Sequence, residues 1–207
     1  MPEETTAPSA RQTELLEAAY RYALAHGLAD LSLRPLATAI GSSPRVLMFL
    51  FGNKDGLVRA LLARARADEL AILDRLGRAE QADQPGQPGQ PDQPGQPIGL
   101  VPAVERVWEW LAAEEHRPLL RLWAEAYARS LVESDGAWAG FARATVEDWL
   151  AVLAACQPRP ERDSETGAVR RRLALAVLRG ALLDLLASDD EPRVGAAVRH
   201  QLALLRG

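Results

Sequence analysis

One cysteine, Cys156, in 207 residues excludes an internal disulfide framework. No charge-free apolar run approaches the ~20 residues that a membrane-spanning helix needs. The opening MPEETTAPSA is acidic and polar, unlike a secretory signal. These three scarcities together predict a cytoplasmic protein with no membrane partner. The histidines, His26, His116 and His200, are scattered and lack metal-ligand spacing. Cys156 has no neighbouring histidine to activate it as a nucleophile. No alternating strand pattern occurs, so no glycine-rich phosphate loop follows a strand. The chain is therefore expected to be neither an enzyme nor a holder of a metal or cofactor.

Basic charge is also scarce overall, with a net charge of −4. It is unevenly spread. Residues 10–66 hold eight basic side chains against four acidic ones, a net +4, and the remainder sums to −8. A small basic module on an acidic body fits a nucleic-acid head. Lys54 is the only lysine among 24 basic residues. A cation in the first turn of a helix opposes the helix dipole, and a bound phosphate would satisfy both the ammonium and the turn's amides.

What is present is helical periodicity. Residues 1–9 read as a disordered tail. A first helix is expected over Ala10–His26, with Leu15, Leu16, Ala19, Tyr22 and Ala23 as its buried stripe and Gly27 as its stop. The run SLRPLATAIGSSPRVLMFLFGNKDGL then spells two short helices and a turn. Ser32 is a natural N-cap, and Leu33, Leu36, Ala37 and Ile40 share one face. Gly41 ends that helix. Ser43 caps the next, Pro44 sits at its first position, and Val46, Leu47, Leu50 and Phe51 supply its apolar side. Two helices joined by a glycine-containing turn form a helix-turn-helix, whose second helix can enter a DNA major groove. The head is set at 10–57, and a helix of 54–78 connects it onward.

Residues 79–97 include QPGQPGQPDQPGQP, a Gln/Pro/Gly tract expected to be a flexible loop without function. From 98 to 207 the pattern is helical again. Helices are expected from Pro102 to about Glu114, from Pro118 through Leu131, from Trp138 to Leu153, from Glu165 to Ala187, and from Pro192. PRPERDSETG is expected to be a polar loop. The fold class is all-α, with about nine helices.

Over residues 11–62 the sequence resembles the TetR family of transcriptional regulators. The Gly27 stop, LSLRPLATAIGSSP, Leu47, Phe51, Lys54 and Leu57 carry the likeness. The resemblance implies a three-helix DNA-binding head and a larger helical body that dimerises and binds a small effector. It puts Ser32 and Arg34 at the DNA surface, and Ser43, Pro44, Arg45 and Met48 on the recognition helix. Arg45 has the fork geometry for guanine O6 and N7, and the serines suit phosphates. Lys54 and Phe49 complete the set. The sequence departs from the family at Met48, Phe49 and Leu50, where members usually carry a Tyr, another aromatic and a His. Hydroxyl and imidazole donors to phosphate are absent there, leaving apolar contacts to sugar or base.

All five tryptophans lie beyond residue 107. Trp108, Trp123, Tyr127, Phe141 and Trp149 are candidates for an effector pocket that would favour a hydrophobic or aromatic molecule, or for plain core packing. Val169, Leu173, Val177 and Gly180 on one helix, with Val198 and Leu202 on the last, make stripes that suit a four-helix dimer interface. They could equally close the protomer's own core. The expected partners are therefore a palindromic DNA operator, a small effector and a second copy of the chain. Two functions compete: a homodimeric repressor released by its effector, and a helical ligand-binding or protein-interaction dimer whose DNA head is weak and non-specific.

Overall fold

The computed structural model describes residues 9–78, 97–133 and 135–206, without the side chains of 73–78. The expected N-terminal tail and the Gln/Pro/Gly loop lie outside the described residues, apart from Ser9 and Pro97. Those residues form ten α-helices and no strand. They are α1 (Ala10–His26), α2 (Leu33–Ala39), α3 (Pro44–Phe51), α4 (Lys54–Arg78), α5 (Leu100–Ala112), α6 (Arg117–Val132), α7 (Phe141–Ala155), α8 (Arg159–Arg162), α9 (Glu165–Ser188) and α10 (Glu191–Arg206). Short 3₁₀ turns precede α6 and α7. The all-α class holds. The extra helix, α8, lies inside the segment expected to be a polar loop. Trp138, expected to open α7, lies in the 3₁₀ turn before it.

The chain divides into two compact units. The first comprises residues 1–67 and 121–142. Its buried residues include Leu15, Ala19, Ala23, Leu28, Leu36, Leu47, Leu57, Leu61, Leu122 and Ala126. Each leucine buried in this way contributes about 1.5–3 kcal/mol. The grouping places 121–142 with the helix-turn-helix rather than with the other residues beyond 98. One hydrogen bond joins the two stretches, and another closes 121–142 on itself. The backbone N–H of Leu28, just past α1, donates to Glu125 Oε2 on α6 at 2.9 Å. Ala142 N–H donates to the Ser130 hydroxyl at 3.0 Å.

The second unit comprises 68–120 and 143–207. In it α5, α9 and α10 pack on one another. Val104, Val107, Leu111, Leu153, Leu175, Leu178, Leu185, Val198 and Leu202 are buried there. Gln157, also buried, accepts from Arg171 Nη1 at 2.6 Å, so its polar oxygen is matched.

Candidate nucleic-acid interface

The geometry of α2, α3 and the start of α4 follows from their caps. Ser43 holds an extended backbone, and its hydroxyl accepts from Val46 N–H at 3.3 Å, closing the first turn of α3. Ser32 also stands at an N-cap with extended backbone, but its side chain makes no capping bond. The capping role expected of Ser32 is therefore positional only, and its exposed hydroxyl remains open to an outside acceptor. Gly41 turns the chain between α2 and α3 with φ 63°, a conformation that side-chain-bearing residues rarely adopt. Asn53 Oδ1 accepts from Gly56 N–H at 2.7 Å and caps α4.

The recognition helix shows two contrasting sides. Leu47 is 1% exposed and anchors the inner side. Arg45, Met48 and Phe49 are exposed on the outer side, with Phe49 at 86%. At 100° per residue, Arg45 and Phe49 flank the direction opposite Leu47, one turn apart. Pro44 is half-buried at the first position of the helix. The amide of Gln12 on α1 donates to Leu50 C=O at 3.0 Å, tying the far end of α3 to α1.

The basic residues of the head divide by pairing, and Arg21 and Arg59 are, like the three at the helix starts, exposed and without an ion pair among the described residues. Arg11 is paired with Glu14, and Arg64 with Glu17 at 2.5 Å, its guanidinium lying 5.0 Å from the centre of the Tyr20 ring. Arg34, Arg45 and Lys54 are exposed and carry no ion pair among the described residues. These three stand at the starts of three successive helices, and an exposed cation without an ion pair among the described residues carries an unneutralised positive charge. The sequence identified all three.

The five candidate pocket residues do not fall in one unit. Trp123, Tyr127 and Phe141 belong to the first, Trp108 and Trp149 to the second. Trp123 and Tyr127 stack at 4.8 Å between ring centres. The Trp123 indole N–H is buried without a hydrogen-bond partner. Trp149 donates its indole N–H to the buried Glu69 carboxylate, a partner that sequence periodicity did not single out. Trp110, off the apolar stripe, stacks on His116 at 4.3 Å. A cleft of about 530 Å³ lies in the head, lined by Glu14, Arg21, Tyr22, His26, Ala39 and Ile40 among others. None of the five candidate rings lines it.

The candidate dimer residues also separate. Val169, Leu173 and Gly180 on α9 are exposed and Val177 is half-buried. Val198 and Leu202 on α10 are 1% and 3% exposed within the protomer. Those two close the protomer's own core, the alternative that their stripe left open. Cys156 is buried, and desolvation pushes its thiol up from the usual range, partly offset by the charge of Arg106. A protonated, buried thiol is not an activated nucleophile. Among the described residues no group of three potential metal ligands gathers, and no helix is long and apolar enough to cross a membrane.

Residues 15–61 match the model of the bacterial regulatory proteins of the tetR family. No curated protein matches the chain. Solved structures share its fold over nearly their whole lengths. A TetR transcriptional regulator from Legionella pneumophila aligns with a TM-score of 0.66 at 15% identity, covering 97% of this chain and 99% of its own. The multidrug binding protein EbrR complexed with imidazole gives 0.61 at 23%, covering 97% and 96%. The fatty acid degradation regulator FadR from Bacillus halodurans gives 0.61 at 15%, covering 98% and 97%.

Proposed function

Through its N-terminal head this chain belongs to the tetR family of bacterial regulatory proteins, and we propose that it is a homodimeric transcriptional repressor that a small hydrophobic or aromatic effector releases from DNA. The observation that carries the reading is the outer side of α3. Arg45 stands there exposed and without a counter-ion, between Arg34 and Lys54 at the starts of the neighbouring helices. Ser32, Arg34, Ser43 and Lys54 take phosphates in this reading. Pro44, Met48 and Phe49 pack on the groove, and Arg45 forks onto a guanine. No catalytic role is assigned to any residue, and the protein acts in the cytoplasm.

The effector part of the proposal draws on Trp123 and Phe141, buried, and Tyr127, half-buried, in the first unit, on the buried Trp108 and Trp149 within the second, and on EbrR, which has been solved in complex with proflavin. The dimer part draws on the exposed apolar residues of α9. Two copies related by a two-fold axis would present recognition helices ~34–36 Å apart, one turn of DNA, and so call for a palindrome.

The test is a gel shift at low salt against DNA flanking the protein's own gene. Wild type should select one sequence, and Arg45→Ala should weaken that complex by about 1–3 kcal/mol while sparing residual non-specific binding. Binding that is sequence-blind at every salt concentration would overturn the proposal in favour of the ligand-binding or protein-interaction dimer.

A further inference from the structure

Within α3 the residues are Pro44, Arg45, Val46, Leu47, Met48, Phe49, Leu50 and Phe51. Arg45 is the one side chain among them that offers strong hydrogen-bond donors, and no side chain there is a strong acceptor. A helix so composed can read one base pair by hydrogen bonding. Anything else it reads from the floor of the major groove must be read through apolar contact. The groove offers one apolar feature to read, the C5-methyl of thymine. Phe49 is the residue placed to meet it. It is 86% exposed, lies one helical turn beyond Arg45 on the same outer side, and has Met48 beside it at 50% exposure. Among the described residues Phe49 stacks on no other ring, and the exposed cation Arg45 on the same helix side matches a polyanion rather than an apolar protein partner.

We propose that Phe49 is a specificity-determining residue that reads a thymine methyl beside the guanine held by Arg45, an inference that rests on the DNA-binding reading above. One helical turn advances ~5.4 Å and one base pair ~3.4 Å, so the thymine stands one or two base pairs from the guanine in each half-site. The chemistry of the departure from the family pattern follows. A chain that has no hydroxyl or imidazole at 48–50 trades phosphate contacts for an apolar base contact, and its operator is constrained to carry thymine at a fixed step.

The experiment uses the full-length protein. Duplexes bound from a random pool are sequenced, and the best is remade with deoxyuridine at each thymine in turn, which removes the methyl and keeps every base-pairing and groove hydrogen bond. One position per half-site should weaken wild-type binding roughly fourfold, the factor that corresponds to one buried methyl-sized group. Phe49→Ala, at an exposed site that leaves the core intact, should bind the thymine duplex correspondingly less well and show no further loss with deoxyuridine at that position. Arg45→Ala should keep the deoxyuridine effect. If a sequence is selected but no thymine is sensitive, or if Phe49→Ala remains sensitive, this proposal falls and the DNA-binding reading stands. If no sequence is selected, both fall.

Discussion

Gly27 and Glu125 meet where the end of α1 touches residues 121–142. Gly27 ends α1 with φ 78° and ψ 180°, a region that glycine alone occupies without strain. Its N–H donates to Ala23 C=O at 2.8 Å, so the turn also closes the helix. A Cβ built there would lie 3.0 Å from Glu125 Oε2, the same oxygen that receives the Leu28 N–H. Gly27→Ala should therefore cost about 1–3 kcal/mol of stability, read by urea denaturation. Glu125→Ala should cost about 1–3 kcal/mol by orphaning the Leu28 donor, whereas Glu125→Gln retains an acceptor oxygen and should cost less. The double variant Gly27→Ala/Glu125→Ala should lose less than the sum, because the second change removes the crowding that the first creates. Strict additivity would mean that the two residues do not share this contact.

At the scale of an element, the two serine caps look alike in sequence and differ in the fold. Ser43 closes its helix through Val46 N–H, and Ser32 does not close its own. Ser43→Ala should lower stability by about 1 kcal/mol, and Ser32→Ala should change it by only a few tenths while weakening DNA binding. Thermal unfolding and a gel shift of both variants check the contrast. Equal losses of stability would remove it. The distinction was illegible beforehand because a capping bond depends on a side-chain rotamer, and residue type does not set that rotamer. Helix bounds were more legible. Gly27 marks the end of α1 and the connecting helix spans 54–78 as expected, since stop and cap residues act locally. The four-residue α8 escaped because its polar, proline-bearing sequence Arg159–Arg162 offers no apolar period. In the candidate interface, Arg34, Arg45 and Lys54 were legible as charges. Their lack of ion pairs was not, because pairing depends on which carboxylates the fold brings near.

For the molecule as a whole, α9 carries the exposed apolar residues on which the proposed dimer rests. A helix apolar on one side suffices to close a core, and Leu175, Leu178, Leu182 and Leu185 do that. Yet Val169, Leu173 and Leu183 remain 62%, 45% and 53% exposed along another side. Periodicity in the sequence revealed that α9 and α10 are apolar but could not say what covers each residue. Val198 and Leu202 are covered from within, and the α9 stripe is exposed, which is where the proposed dimer would meet. Gly180 lies in that stripe, exposed, with open space where a Cβ would stand. A mid-helix glycine costs about 0.5–1 kcal/mol relative to alanine, a cost that close approach of a second helix would offset. Within an isolated protomer, then, Gly180→Leu starts from an exposed position with open space at its Cβ and improves helix propensity. In a dimer built on this stripe it forces the two copies apart. Gly180→Leu and Leu173→Glu should both keep the helical content seen by circular dichroism and shift the protein to monomer in sedimentation equilibrium. The same variants should lose affinity for a two-half-site duplex and keep the weaker affinity for a single half-site, because each head still folds. Variants that remain dimeric would move the interface off α9.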